Sequence, residues 1–210
     1  MTGTSKALMR RVHDQRFATR YFVGNGIDIG CGSDPIAQYH EQFPLITSVK
    51  SWDLPDGDAQ YLATVPDASL EFAHSSHSLE HMVDPHMALM NWLRVLKPGG
   101  HLIVMVPDED LYEQGRFPST YNDDHKWTFT IHKSTSWSSR SINLMQLLSE
   151  FSLQAQTLKL ELLDATYRYQ LNRFDQTLTP VAECGIEFVM RKLTSEELKK
   201  RGRYSSIEHF

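Results

Sequence analysis

Four groups of residues in this chain have the types and spacing that chemistry needs. Gly30-Cys31-Gly32 directly follows Ile27-Asp28-Ile29, and Ser33-Asp34-Pro35 comes next. β-Branched residues on either side of Asp28 read as a short buried strand. Ser33 to Pro35 is helix-start chemistry. A strand, a Gly-x-Gly turn and a helix N-terminus form a nucleotide cradle, where backbone approaches a ligand closely and N–H groups face it. Cys31 is a small residue inside that turn. The second group is acidic: Asp53, about twenty residues past the turn, suits ribose hydroxyls, and Gly57-Asp58-Ala59 follows it. The third, His77-Ser78-Leu79-Glu80-His81, matches the inverted zinc-protease signature H-x-x-E-H. The fourth is Tyr121-Asn122-Asp123-Asp124-His125-Lys126-Trp127. There His125 can act as a general base, with Asp124 or Asp123 orienting it or binding a divalent cation. An ordinary Asn-Asp surface turn is the competing account of the fourth group.

The elements that must position these groups follow from periodicity. Residues Ser5 to Arg20 hold Leu8, Met9, Val12 and Phe17 among basic residues, which predicts a basic amphipathic helix with its charged face in solvent. A strand at Gly26 to Ile29 precedes a short helix near Pro35 to Phe43, and Leu45 to Trp52 reads as a second strand. The link from Asp53 to Asp58 is too short for a regular α/β crossover, so a helix and a strand are expected to be reduced or absent there. Leu70 to Ser76 is a strand, Pro85 to Leu96 a helix stopped by Lys97-Pro98-Gly99-Gly100, and His101 to Val106 a fully buried strand. Residues 109–137 mix aromatics with charges and hydroxyls without periodicity, as functional inserts do. Ser141 to Phe151 returns to helix. Leu158, Leu160 and Leu162, and later Ile186, Phe188 and Met190, alternate with polar residues and can pair as an antiparallel hairpin. Thr194 with Glu197 forms a capping box, and the tail after Arg201 is expected to be loose.

Composition narrows the classes. The 210 residues suit a single domain with a sizeable core. A net charge of −5 argues against a general nucleic-acid binder. Two cysteines, Cys31 and Cys184, suggest no disulfide framework and fit a reducing, cytoplasmic location. No stretch is apolar enough to span a membrane, and no secretory signal opens the chain.

Taken in order, four segments resemble class I S-adenosylmethionine (SAM)-dependent methyltransferases, of the type 11-like group. Ile27 to Gly32 resembles their first motif, and Gly57-Asp58-Ala59 their adenine-side motif. His74 to His81 resembles the segment after their fourth strand, and Arg94 to Gly100 the turn before their fifth. The resemblance implies an α/β fold, a doubly wound, mostly parallel Rossmann-like sheet of about six or seven strands with an antiparallel C-terminal hairpin. It implies SAM as cofactor, with Asp28, Gly30, Gly32, Asp53, Asp58, Ala59, Ser75 and His77 lining its site. It also implies a methyl acceptor. The aromatics and polar groups of the acceptor-side insert 109–137, which lies beyond the resemblance, point to a small molecule or saccharide modified at oxygen, with His125 and Asp124 as catalytic residues. A non-catalytic cofactor-binding subunit of the same fold is the alternative. An NAD site fits less well, because Pro35 stands where the third glycine of Gly-x-Gly-x-x-Gly belongs. A zinc hydrolase using His77, Glu80 and His81 is a lesser alternative: the run leaves a buried strand rather than lying within a long helix, and the methyltransferase resemblance accounts for Leu79-Glu80-His81 without metal. No metal ligand is assigned.

Overall fold

The computed structural model describes residues 3–200. The expectation for the tail after Arg201 lies outside them. A six-stranded sheet has the order β2-β1-β3-β4-β8-β7, from strands β1 (Gly24–Ile29), β2 (Ile46–Trp52), β3 (Leu70–Ser76), β4 (Leu96–Pro107), β7 (Ala155–Leu163) and β8 (Gly185–Lys192). Strands β2, β1, β3 and β4 are parallel, and β8 runs antiparallel to both β4 and β7. The mostly parallel sheet and its C-terminal hairpin therefore form as expected. Two three-residue strands, β5 (Thr128–Thr130) and β6 (Ser141–Asn143), make a separate parallel pair. The helix expected from Ser141 thus starts later, as α3 (Leu144–Glu150), with the Asn143 side chain accepting from the Gln146 N–H.

The short link after β2 has the predicted consequence. Asp53 caps a single turn, Leu54–Asp56, in a reciprocal capping box with Asp56. Among the described residues no strand forms between β2 and β3, so β2 is one edge of the sheet.

Layers cover both faces. On one, α2 (Pro85–Val95) and α3 pack over Ile27, Ile29, Leu102, Val104, Ile186 and Phe188. On the other, α1 (Gly3–His13) and the π turn Phe17–Tyr21 face Phe72, Ile103 and Val189. This N-terminal helix corrects the sequence expectation. It ends at His13, its Met9 is 72% exposed and its Arg11 is 0% exposed. The basic side chain is buried because β8 lies between two strands and has no solvent-facing side. Glu187 therefore points into the layer under α1, and a buried carboxylate there demands a cation. Arg11 and Arg10 supply it, at 3.0 and 2.7 Å.

Candidate functional site

The glycine turn sits at the carboxyl end of β1, where open α/β sheets bind ligands. Gly30 and Gly32 have φ of +66° and +54°, the left-handed region that glycine enters without strain. Their surroundings differ. A Cβ on Gly30 would lie 1.8 Å from the Ser78 hydroxyl oxygen, whereas one on Gly32 would meet nothing within 4 Å. Gly30 therefore allows the segment after β3 to close against the turn, and Gly32 leaves an open shelf. The Gly32 N–H donates to Asp53 Oδ2 at 3.0 Å, so the carboxylate that follows β2 stands directly beside the turn. Asp58 is exposed, and its Oδ1 accepts from the Gln60 N–H at 2.8 Å. Two buried indoles hold this segment: Trp52 Nε1 donates to the Gly57 carbonyl at 3.1 Å and Trp92 Nε1 to the Ala59 carbonyl at 2.8 Å.

Two of the expected cofactor residues are buried and bonded within the fold. Asp28 is buried; its carboxylate accepts from the Ile36 N–H at 2.6 Å and from His74 Nδ1 at 2.7 Å, tying the helical turn after the glycines to β1 and β3. Ser75 is buried, and its hydroxyl donates to the Ile29 carbonyl at 3.1 Å. His77 leaves β3 with φ +55° and begins the helical segment that carries Leu79–His81.

The segment after β3 also lines a cavity of about 280 Å³, formed by His77, Glu80, His81, Tyr112, Asn122 and His125 together with Gly3 and Lys6 of α1 and Thr177 and Leu178. The insert brings His125 here by strapping itself to the turn after β3. The Lys126 N–H donates to the Glu80 carbonyl at 2.9 Å, Lys126 Nζ to the His81 carbonyl at 2.7 Å, and Trp127 Nε1 to the Met82 carbonyl at 3.0 Å. His125 Nδ1 is 2.7 Å from Glu113 Oε1. Asp124, expected to orient His125, instead places Oδ2 3.0 Å from Nδ1 of His81, while Asp123 is exposed. Sequence reasoning missed Glu113. It sits on the π turn Glu109–Glu113, which Asp108 caps by accepting from the Asp110 and Leu111 N–H groups. The i, i+4 spacing of Glu109 and Glu113 after a strand end was the available signal: both are buried by the same turn.

Three imidazoles converge on the fully buried Glu80. His77 Nδ1, His125 Nε2 and His81 Nε2 lie 3.6, 3.8 and 3.9 Å from its Oε1. Among the described residues neither oxygen of Glu80 has a hydrogen-bond partner. Burial alone would raise this carboxyl; the polar contact with His77 and, in their protonated forms, the charges of His77, His125 and His81 bring it below its ordinary range. The cysteines are not activated. Burial pushes both thiols up, that of Cys184 to about 12.

A Gly-x-Gly shelf open at Gly32, an adjacent carboxylate after β2 and an antiparallel terminal hairpin define a Rossmann-like methyltransferase fold. A family profile described as a methyltransferase domain matches residues 4–160, and the chain belongs to that family. The protein is a SAM-dependent methyltransferase, and SAM is its cofactor. Solved structures agree on the fold. The Haloferax volcanii complex between the Trm112 methyltransferase activator and a methyltransferase aligns with TM-score 0.58 and 12% identity, over 90% of this chain and 89% of that one. A SAM-dependent methyltransferase from Archaeoglobus fulgidus aligns with TM-score 0.53 and 16% identity, over 89% and 92%. One from Mesorhizobium loti aligns with TM-score 0.53 and 16% identity, over 88% and 95%. No curated protein matches the sequence. No described helix is long and apolar enough to cross a membrane.

Proposed function

We propose that this enzyme methylates a hydroxyl oxygen of a small-molecule or glycan-like acceptor, and that the acceptor enters the histidine-lined cavity. One observation carries this. His125, oriented by Glu113 at 2.7 Å, lies in a polar cavity at the carboxyl edge of the sheet, next to the segment that closes on Gly30. A ring whose Nδ1 proton is committed to a carboxylate presents Nε2 as a proton acceptor. A cavity of about 280 Å³ suits a compact acceptor or one sugar unit rather than a macromolecular surface. Tyr112 offers a ring face to such a unit, its centroid 5.3 Å from that of His125.

On this proposal Gly30 and Gly32 give the cofactor close approach to backbone, Asp53 accepts from its ribose hydroxyls, and Asp58 with Ala59 meets its adenine. His77 borders both regions, and Asp28 and Ser75 brace the fold through their buried hydrogen bonds. When bound, SAM supplies an electrophilic methyl group on a sulfonium sulfur. The chain's own tasks are to align the acceptor and to take the hydroxyl proton. Residues 109–137 form the acceptor side of a single domain, and the two free cysteines suit a reducing, cytoplasmic setting.

Incubation with methyl-labelled SAM and a metabolite extract tests the acceptor class, with a labelled small molecule or saccharide expected. Label appearing in protein or nucleic acid instead overturns it. With the acceptor in hand, His125→Ala is expected to keep cofactor affinity and lose turnover by about a hundred- to ten-thousand-fold. Glu113→Gln should lose more than Asp124→Asn, since Glu113 holds the ring. Equal, small effects of all three would move the proton acceptor elsewhere.

A further inference from the structure

We propose that Glu80, His81 and His125, with His77 beside them, form a binding site for one divalent transition ion of the zinc class. This reverses the expectation that the H-x-x-E-H match is unrelated to metal. The ligand atoms of Glu80, His81 and His125 all lie within 4.8 Å of one another. Around a zinc ion with bonds of 2.0 to 2.1 Å, neighbouring tetrahedral ligands sit about 3.3 Å apart. The three nitrogens stand 3.6, 3.8 and 3.9 Å from Glu80 Oε1, about half an ångström beyond that spacing.

Two further features point to a cation rather than to an ordinary polar cluster. The first is Glu80. Its side chain is fully buried, and both oxygens lack hydrogen bonds among the described residues. A carboxylate so placed needs a positive partner. The second is the state of the rings. Nδ1 of His125 donates to Glu113, and Nδ1 of His81 faces Asp124 Oδ2 at 3.0 Å and the Asp124 carbonyl at 3.2 Å. Each outer carboxylate commits Nδ1 as the donor and leaves the Nε2 lone pair aimed at the Glu80 oxygen. Lone pairs facing a carboxylate repel it, whereas an ion between them binds all three. Carboxylate–histidine–metal relays have this arrangement.

The donor set also selects the ion. Two or three imidazoles and one carboxylate suit zinc, iron, cobalt or nickel and are poor for magnesium, which prefers oxygen. The position gives the ion a task that rests on the acceptor reading above, although the binding does not. It faces the acceptor cavity, where it would coordinate the acceptor's hydroxyl and acidify it, the proton leaving to water. In that form His125 is a ligand, and the ion replaces it in making the oxygen nucleophilic.

The test uses tag-free full-length protein stripped with a chelator and titrated with zinc and cobalt chlorides. One ion per chain is expected, with tetrahedral or five-coordinate cobalt absorption bands. His81→Ala and His125→Ala should each weaken binding at least a hundred-fold, and Glu113→Gln by about ten- to a hundred-fold. Circular dichroism and melting of each variant establish that it is folded; should His125→Ala fail to fold, His81→Asn, whose ring is less buried, serves in its place. Zinc affinity that is the same in folded His81 variants and parent overturns the site. So does absence of stoichiometric binding in the parent, in which case protonated imidazoles alone neutralise Glu80. Binding without any effect on methyl transfer would uphold the site and overturn only the role given to the ion.

Discussion

Gly30 and Gly32 share a left-handed backbone yet answer to different neighbours, and substitution should separate them. A side chain at Gly32 meets open space, so its cost to the fold is the backbone strain alone, about 1 to 2 kcal/mol. Gly32→Val is therefore expected to stay folded while losing SAM affinity more than tenfold by calorimetry, since the shelf must admit the cofactor. Unchanged affinity would make Gly32 a structural turn residue only. Gly30→Ala should instead lower the melting temperature, because its new carbon would stand 1.8 Å from the Ser78 hydroxyl oxygen. Ser78 leads into the segment bearing Glu80, so the shift disturbs the cavity as well. The double variant Gly30→Ala/Ser78→Gly should recover part of the stability. No recovery would mean that the left-handed backbone, not the contact, sets the requirement.

At the scale of elements, α1 is fastened by charge. Arg11 bonds Glu187 on β8 and lies 3.1 Å from His74 Nε2 on β3, and His74 pairs with Asp28 on β1. Three strands are thus joined to one helix through a layer that the apolar pattern of the helix does not announce. Glu187→Gln removes one partner and leaves buried cations, a loss of about 3 to 5 kcal/mol. The melting temperature should fall by roughly 10 °C, whereas Arg11→Met/Glu187→Leu, which replaces the pair with apolar groups, should fall less. A negligible effect of Glu187→Gln would show that α1 is held by its apolar contacts. Much of the sheet was legible in the chain, because strand alternation and turn residues are local signals: β1, β2, β3 and the β7–β8 hairpin lie within a residue or two of their predicted places, apart from a longer β7. The polar layer was not legible, because burial of Arg11 depends on β8 lying inside the sheet, a fact of topology rather than of periodicity. The cavity was half legible. His77, Glu80, His81 and His125 could be named from spacing, but their convergence depends on Lys126 and Trp127 bonding backbone far away in sequence.

For the whole molecule, two buried carboxyls impose opposite pH dependences. Burial alone would raise Glu187, but Arg11, Arg10 and Lys159 outweigh it and hold it far below its usual range. Its stabilising contribution is fully present above the unfolded value of 4.5 and is lost as pH falls below it. Asp108 behaves the other way. Burial, joined by the charges of Asp110 and Glu109, raises it from 3.8 to about 6 against the N–H bonds from Leu111 and Asp110. A raised carboxyl favours folding while protonated, and that contribution disappears as pH climbs from 3.8 towards 6. At 1.36 kcal/mol per unit, the loss approaches about 3 kcal/mol at neutral pH. Asp108→Asn keeps an oxygen for the two N–H donors and carries no charge. It should therefore melt higher than the parent at pH 7.5, with the advantage vanishing near pH 4. The penalty of Glu187→Gln should run in the opposite sense, largest at pH 7.5 and shrinking below pH 4.5. Melting curves of parent and both variants from pH 4 to 7.5 read both trends at once. An Asp108→Asn variant less stable than the parent by the same amount at every pH would show that Asp108 is charged in the fold, and that its carboxylate strengthens the cap on the turn that delivers Glu113 to His125.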